Sequence, residues 1–544
     1  MKVLLLQPPV RDFYDTAIRL QPLGLSMLKA VVKSRIPDVE VVIKDFHHGH
    51  GRRSIPVPAE LAYLRDFYRH ADSSPFSTFH AYYHFGASFE DIASKVAEEK
   101  PDLLGISSLF SPYHREALTC ACEIKKRLQV PILMGGSHVS AMPDAVLADP
   151  AVDFIIRGEG ERPLVELLSA LREGRRLEEV PNLGFKRNGD LTLNPMGEPY
   201  PFNELPLADL SDLPVGRYLF KGRPLCFVTT SRGCPHSCTF CSVHLTFGKG
   251  FRRRSPDGVL AEIRKRYEAG YRVFDFEDDN LSHDRRDFGR LLRLLAAEFR
   301  GRDVRFLAMN GISYHSLDRE LLVLMKEAGF THLNLSLVSA EEASLSRVKR
   351  PHTLRKYLAV VEDAYSLGFR IVSYQILGLP FEGLETMIDT LALMARLPVL
   401  IGVSIFYLTP GSAIAGEFPD LTEGDILRAR STAMAVETDR VKRDDLYTLF
   451  ITGRILNFLK GLPVAQGKVT LREAIDLAVD LGKRERTGAE LLMRLLEEGR
   501  LYAATRQGLV PLPHFRPELF FRVLERAGTI GTVKSPFPFI VLRQ

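Results

Sequence analysis

The sequence contains few cysteines, little excess of either charge and no long apolar run. Only six of its 544 residues are cysteine. Lysine and arginine number 72 against 67 aspartates and glutamates, and the net charge of +5 is too small at this length to predict a nucleic-acid partner. No apolar run reaches the ~20 residues of a transmembrane helix. The first apolar run, residues 3–6, is too short for a signal peptide and predicts a β-strand.

The overall composition is that of a folded protein with several domains. Hydrophobic residues make up 45% and charged residues 26% of the chain, as in ordinary globular domains. The length allows about three or four domains. We see no internal repeat and no low-complexity tract. Because cysteine is scarce and nothing else indicates secretion, we expect a reducing, cytoplasmic environment.

Short apolar runs that alternate with helical patterns predict an α/β protein. Residues 1–175 have the alternation of a doubly wound parallel sheet, and residues 176–224 have the prolines of a linker. Residues 225–415 predict six strands with five helices between them, a partial (βα)6 barrel, whose active site would lie at the carboxyl ends of its strands. Residues 416–544 predict a mainly helical domain to which the sequence assigns no chemistry.

Half of the cysteines lie in one nine-residue loop that directly follows the first strand of this barrel. Cys234, Cys238 and Cys241 have the spacing CxxxCxxC, and clustered thiolates favour iron–sulfur clusters or zinc. Three ligands are one too few for a closed structural site, so one metal position would stay open for chemistry. A zinc site completed by His236 or His244, and a disulfide-bonded loop, are the alternatives.

A CxxxCxxC loop after the first strand of a βα barrel resembles the radical S-adenosylmethionine (SAM) enzymes. The resemblance implies a 4Fe-4S cluster held by Cys234, Cys238 and Cys241, with the fourth iron open to SAM. It also implies that an electron from the cluster cleaves SAM and releases a 5′-deoxyadenosyl radical, which abstracts hydrogen from an unreactive carbon. An electron donor such as flavodoxin or ferredoxin would then be a partner.

The same resemblance implies SAM contacts at and beyond the strand ends. The residues that match such positions are Phe240, Glu277, Asp278, Asp279, Ser336, Gln375 and Gly378. The three carboxylates replace the Gly-Gly-Glu-like segment of the family, and they suit the SAM ammonium group because they offset its charge. The alternatives are core packing for the phenylalanine, a helix N-cap for the carboxylates and a plain strand-end turn for the glycine.

Small and polar residues follow three of the N-terminal strands, at the sheet edge where ligands of doubly wound folds bind. These residues are Ser107, Ser108, Gly135, Gly136, Ser137, Gly158 and Glu159. They leave room for a flat ligand. The set resembles the cobalamin-binding domain of methionine synthase and, more closely, that of cobalamin-dependent radical SAM enzymes. The histidine that ligates cobalt in methionine synthase is absent, and the resemblance therefore implies a cobalt without histidine as its lower ligand. The alternative is a domain that no longer binds corrin.

Together these resemblances cover roughly residues 1–420 and imply a cobalamin-dependent radical SAM methyltransferase. The implied reaction methylates an unactivated carbon of a small-molecule substrate, through a 5′-deoxyadenosyl radical and methylcobalamin. The substrate itself is not readable, and an apolar compound is only an expectation from the aromatic stretches. The alternatives are a cyclase or rearrangement enzyme that uses the same cofactors without methyl transfer, and a non-catalytic corrinoid sensor or carrier.

Overall fold

The computed structural model describes residues 1–14, 21–465, 467–534 and 538–542. Two mainly parallel sheets dominate these residues, and the carboxyl ends of their strands border one cavity. A third part, built from helices and two small sheets, packs against both. No helix in the described ranges has both the length and the apolar character that a bilayer span requires.

The N-terminal part alternates strands and helices as the sequence predicts. Its strands are β1 (Lys2–Gln7), β2 (Val10–Asp12), β3 (Glu40–Asp45), β4 (Arg52–Ser54), β5 (Tyr83–Phe85), β6 (Leu103–Ser107), β7 (Ile132–Gly135), β8 (Phe154–Ile156), β9 (Leu183–Arg187) and β10 (Asp190–Leu193). Its helices are α1 (Leu23–Arg35), α2 (Leu64–Phe67), α3 (Phe89–Glu99), α4 (His114–Lys125), α5 (Ser137–Ala141), α6 (Pro143–Ala148) and α7 (Glu161–Glu173).

Seven of these strands form one sheet in the order β10–β9–β8–β7–β6–β1–β3. The pairs from β3 to β8 are parallel, and β9 and β10 add an antiparallel edge. The run at residues 3–6 is wholly buried because helices cover both faces of the sheet. The segment expected to be a linker therefore starts as part of the sheet, with a tight hairpin at Asn188 and Gly189.

The central part is an open, curled sheet. Its strands are β11 (Leu219–Phe220), β12 (Arg223–Val228), β13 (Ser231–Arg232), β14 (Arg252–Arg253), β15 (Val273–Phe276), β16 (Arg305–Leu307), β17 (His332–Val338), β18 (Arg370–Leu377) and β19 (Leu400–Ile405). Its helices are α8 (Val243–Phe247), α9 (Pro256–Glu268), α10 (Arg285–Phe299), α11 (Arg319–Ala328), α12 (Glu342–Arg347), α13 (Leu354–Ser366) and α14 (Leu384–Arg396).

Six of these strands run parallel in the order β12–β15–β16–β17–β18–β19. Isolated bridges from Phe306 to Phe330 and from Ile312 to Leu335 join β16 to β17. Helices cover the outer face of the sheet. In barrels of this kind the active site lies at the carboxyl ends of the strands. This arrangement confirms the predicted partial (βα)6 barrel after a doubly wound sheet.

The C-terminal part is mainly helical, as predicted, but it also contains short strands. Its elements are α15 (Glu423–Leu427), α16 (Arg443–Lys460), β20 (Lys468–Thr470), α17 (Leu471–Val479), α18 (Lys483–Glu498), β21 (Tyr502–Thr505), β22 (Gly508–Pro511), α19 (Pro517–Ala527), β23 (Thr529–Gly531) and β24 (Phe539–Val541). Aromatic pairs join α16 to the N-terminal part: Phe67 lies against Tyr447, and Phe79 stacks on Phe450 with ring centroids 5.8 Å apart. These contacts fix the C-terminal part against the segment between β4 and β5 of the N-terminal part.

The buried carboxyl group of Glu116 makes the stability of this fold sensitive to pH. The side chain lies on α4 with its Oε1 atom 3.8 Å from Arg11 Nε, and burial raises the pKa of Glu116 to about 7. The folded protein therefore holds a proton that the unfolded chain releases at lower pH. Between the ordinary pKa of 4.5 and the raised pKa of about 7, we expect the free energy of unfolding to fall by up to ~3 kcal/mol as pH rises.

The test is urea denaturation of the wild type and Glu116→Gln at several pH values across this window, followed by circular dichroism. Glu116→Gln should flatten the pH dependence, because the amide carries no titratable proton. An unchanged pH dependence in this variant would contradict the assignment.

Candidate active site

Two aspartates anchor the cysteine loop to the end of the second barrel strand. The carboxylate of Asp278 accepts hydrogen bonds from the backbone N–H of Thr230, at 3.1 Å, and from that of Ser231. Asp279 Oδ2 accepts from the N–H of Gly233 at 2.9 Å. Gly233 has a φ of +81°, and a Cβ there would press on the carbonyl oxygen of Gly250, so only glycine fits. The loop therefore leaves the barrel in a fixed direction.

The three cysteines of the loop are free thiols, and each is half-buried. Burial raises the pKa of Cys238 and that of Cys241, and the charges of the neighbouring loop thiols raise both further. Asn280 Nδ2 lies 3.5 Å from Cys234 Sγ, and Arg350 opposes the pKa rise at Cys238. The described residues contain no set of three metal-ligating side chains already drawn together. The thiols are thus neighbours that a metal could gather, and soft sulfur donors fit iron.

The three predicted carboxylates at the end of β15 have separate roles. Glu277 borders the cavity between the sheets, and its Oε2 atom accepts a hydrogen bond from Asn310 Nδ2 at 2.9 Å. Asp278 is 2% exposed and points away from that cavity into the loop anchor. Burial raises the pKa of Asp278 to about 6 in spite of its four hydrogen bonds to Thr230 and Ser231. Asp278 therefore holds the cluster loop, and its contact with SAM stays a prediction.

We expect Asp278→Ala to impair cluster loading. The variant leaves two buried backbone N–H groups without an acceptor, at a cost of ~1–3 kcal/mol each. Asp278→Asn keeps one acceptor oxygen and should retain more iron. Iron and sulfide per chain after anaerobic reconstitution measure the effect.

The matched control is Asp284→Ala, which removes the N-cap of the next helix and costs only ~1 kcal/mol. Asp278→Ala protein with full iron content would contradict the anchor role.

The remaining residues matched to SAM contacts lie in different environments. Phe240 packs against an apolar cluster that includes Val338 and Ile414. Ser336 is half-buried at a bulge of β17, where Val338 has a φ of +70°. Contact of Phe240 and Ser336 with SAM remains a prediction.

Gln375 does not reach the inside of the curled sheet. It is buried with its Nε2 atom donating to the Met387 carbonyl of α14 at 3.0 Å, which lies on the helix side of β18. Successive side chains of a strand point to opposite faces, so Gln375 lies on the face of β18 that packs on the helices, and its contact with SAM stays a prediction. Gly378 lies close to Leu446 of α16. The absence of a side chain at Gly378 therefore lets this helix pack against the end of β18.

On the N-terminal side, the predicted small residues form one wall at the carboxyl ends of β6, β7 and β8. Gly136 has a φ of +119°, and a Cβ there would come within 2.5 Å of the Ser108 carbonyl oxygen. Glycine at this turn therefore allows the loops after β6 and β7 to approach each other closely. Ser108 itself is buried behind the wall.

A cavity of about 560 Å³ separates this wall from the barrel. Its lining includes, from the predicted set, Ser107, Gly135, Gly136, Ser137, Gly158, Glu159 and Glu277. Met309 and Asn310 border it from the end of β16. No histidine lines the cavity in the described part of the chain. Strand ends of both sheets therefore face one space, with glycine and serine on one side and polar groups on the other.

Comparison with known proteins identifies the two halves. The Radical SAM superfamily model matches residues 228–394, and the B12 binding domain model matches residues 17–168. An uncharacterized methyltransferase of Pyrococcus horikoshii is 30% identical over 321 residues, which are 57% of this chain and 68% of that protein. Cytidylyl-2-hydroxyethylphosphonate methyltransferase of Streptomyces wedmorensis is 27% identical over 425 residues, 70% of this chain and 73% of that protein.

The chain belongs to the cobalamin-dependent radical SAM family. The fold agrees: the radical SAM methyltransferase TsrM of Kitasatospora setae, solved with cobalamin and a [4Fe-4S] cluster bound, superposes with a TM-score of 0.57 at 17% identity, over 76% of this chain and 74% of that chain. A weaker sequence match is an anaerobic magnesium-protoporphyrin IX monomethyl ester cyclase of Rubrivivax gelatinosus, 24% identical over 313 residues, 56% of each chain. The predicted family, with its cluster, SAM and cobalamin as cofactors, is confirmed.

In this family member a buried ion-pair network joins the cobalamin side to the cluster loop. Arg232, directly before the loop, donates to Glu159 Oε2 and to Glu161 Oε1, both at 2.6 Å. Arg252, on the paired strand β14, also bonds to Glu159. Although burial opposes it, the Arg232 guanidinium holds the pKa of Glu161 below its usual range. Arg232 was not predicted from the sequence; a charged residue two positions before the first cluster cysteine was the available signal.

We expect Arg232→Met to weaken cobalamin binding and stability together. Removing one partner of a buried ion pair costs ~3–5 kcal/mol, because Glu161 then stays buried without its ion-pair partner while Glu159 keeps only Arg252. Cobalamin retention after gel filtration and the urea midpoint measure the two effects.

The matched control is Arg253→Met on the same strand, because Arg253 pairs with Asp284 and Asp287 near the surface. That change should cost no more than ~1 kcal/mol. Equal effects of the two substitutions would argue against the network.

Proposed function

We propose that this protein is a cobalamin-dependent radical SAM methyltransferase that acts on an unactivated carbon of a small-molecule substrate. The observation that carries the proposal is the cavity that the cobalamin-side wall and the barrel strand ends share. Two reactive groups held on opposite walls of one space can act on the same substrate carbon. The relatives named methyltransferases favour methyl transfer.

The side chains present fit the cofactors of the family. Cys234, Cys238 and Cys241 would hold the cluster, and the wall of small residues at the ends of β6 to β8 would hold the corrin. Glu277 and Asp279 supply carboxylates near the cluster loop that suit the SAM ammonium group. Phe240, Ser336 and the backbone at Gly378 are candidates for contact with the nucleoside of SAM. When bound, these cofactors supply a 5′-deoxyadenosyl radical and a transferable methyl group.

The protein's own contribution is orientation and exclusion of water. Asp278 and Asp279 fix the direction of the cluster loop through its backbone N–H groups. Leu109, Phe110 and Met309 give the cavity apolar walls. A substrate that covers these apolar walls would exclude water and so protect a carbon radical from side reactions, and fixed walls keep the reacting groups aligned.

Three further features belong to this proposal. A small reducing protein such as flavodoxin or ferredoxin would deliver the electron. A reducing cytoplasm would suit the free thiols of the loop. We also propose functional units at residues 1–175 for cobalamin, 225–415 for the cluster and SAM, and 416–544 for a C-terminal domain, with residues 176–224 between the first two.

Product analysis tests the function. Anaerobically reconstituted protein supplied with hydroxocobalamin, SAM and a strong reductant should form S-adenosylhomocysteine as well as 5′-deoxyadenosine. Cys238→Ala should abolish 5′-deoxyadenosine formation, because the cluster loses a ligand. Cys122→Ala, on helix α4, is the matched control and should leave both products unchanged.

Cleavage of SAM by the Cys238→Ala protein would refute the cluster site. Formation of 5′-deoxyadenosine without S-adenosylhomocysteine would refute methyl transfer and favour the cyclase or rearrangement alternative, to which the Rubrivivax gelatinosus relative points. No 5′-deoxyadenosine at all would favour a non-catalytic corrinoid protein.

A further inference from the structure

We propose that a second cavity, which adjoins the first, binds the substrate, and that this substrate is an uncharged molecule with a flat, largely apolar skeleton and at least one hydroxyl or carbonyl group. The inference rests on the proposed function and names the class of molecule on which it acts. Four observations support it: the position of the cavity, its apolar wall, the pairing of its charges and its unpaired hydroxyl groups.

The second cavity has a volume of about 680 Å³, within the range of small-molecule sites. It shares Leu109, Phe110 and Ser137 with the first cavity, so the two spaces meet at the cobalamin-side wall. Ser242, which directly follows the last cluster cysteine, lines it from the other side. An occupant would therefore lie beside both reactive centres of the proposed enzyme.

The wall of this cavity presents large apolar side chains to solvent. Phe110 is 48% exposed, and Tyr14 and Leu109 are each 39% exposed. All three belong to the lining, together with Tyr407 after β19. A ligand with rings or a flat hydrocarbon face would bury this concave apolar surface, which favours its binding.

The cavity has one acidic and one basic residue, and the protein itself neutralises both. Arg430 Nη1 lies 3.2 Å from Asp12 Oδ2, which also accepts a hydrogen bond from the Tyr113 hydroxyl at 2.6 Å. The guanidinium further donates to three backbone carbonyls, those of Arg11, Pro112 and Leu427. A carboxylate, phosphate or ammonium on the ligand would find no free counter-charge here, and burial of an unpaired charge is costly. The lining thus selects against charged molecules.

Hydroxyl groups supply the remaining polarity. Ser404, at the end of β19, and Tyr407 and Thr409 beyond it line the cavity. In the part of the chain that the structure describes, these three hydroxyls have no hydrogen-bond partner. They can donate to a carbonyl or exchange hydrogen bonds with a hydroxyl, which fixes the orientation of a neutral ligand.

A matched pair of probes tests the charge preference. N-phenyl-1-naphthylamine is neutral, and 8-anilinonaphthalene-1-sulfonate has the same rings with one added sulfonate. Equilibrium dialysis against the holoprotein, loaded with cluster, cobalamin and SAM, should show that the neutral probe binds at least about tenfold more tightly. Equal affinity of the two probes would overturn the proposed ligand class.

Substitutions at Thr409 test the location, because Thr409 lines only the second cavity. Thr409→Asp should lower the affinity of the neutral probe by about tenfold or more, while the isosteric Thr409→Val should keep or raise it. Iron and cobalamin content verify that the variants are loaded. If Thr409→Asp fails to fold, Ser404→Asp makes the same test from β19.

Two results would overturn the assignment of the cavity. Unchanged probe affinity in both aspartate variants would place the probe elsewhere, and displacement of the probe by excess SAM would assign the cavity to SAM. Neither of these two results depends on turnover. If S-adenosylhomocysteine and 5′-deoxyadenosine form as proposed but one of these results is obtained, the proposed function stands and the proposed substrate site or class is refuted. If the probes behave as expected and no SAM-derived product forms, the function falls.

Discussion

The arrangement of this protein depends on the buried ion pairs of Arg232. Its guanidinium bonds to Glu159 and Glu161, which follow β8 of the first sheet, while its own backbone leads directly into the cluster loop. All three side chains are less than 10% exposed. A shifted docking of the two sheets that kept these side chains buried would leave charges without partners, and the cost of that state is far larger than the net gain from forming the pairs. The network therefore acts mainly by excluding other docking geometries.

That single docking geometry determines what the two sheets can do. Each sheet is parallel near its site, and the carboxyl ends of parallel strands collect loops on one edge. Because the two edges border one cavity, groups held by either sheet are presented to the same volume. The aspartate anchor acts at shorter range: Asp278 and Asp279 bind the backbone before the first cluster cysteine, so the direction of the loop is set before any metal gathers its thiols. The two groups of contacts use different interactions, charge pairs in one and backbone hydrogen bonds in the other.

Local patterns made much of this predictable from the sequence. The spacing of Cys234, Cys238 and Cys241 and the apolar runs of the strands are short-range features, and they gave the family, the fold class and the wall of small residues. Asp278 could not be distinguished from Glu277 in the same way, because adjacent carboxylates look alike until the fold buries one and exposes the other. Gln375 illustrates a different difficulty: each face of β18 carries both apolar and polar residues, so alternation along the strand did not reveal which residues face the curled interior. Arg232 was missed because its partners lie more than 70 residues away.

The C-terminal part, to which the sequence assigned no chemistry, completes the second cavity. Arg430 lies after α15 in the chain, yet its side chain bonds to Asp12 at the end of β2 and to the carbonyl of Pro112 after β6. These contacts bring residues 429–431 to the wall opposite the barrel strands. Since Arg430 is almost wholly buried and fully engaged within the protein, it can close the cavity without offering a charge to its occupant. The C-terminal part is thus required for the shape and the neutrality of the space beside both cofactor sites, and relatives that differ there would be expected to accept different molecules on the same catalytic core.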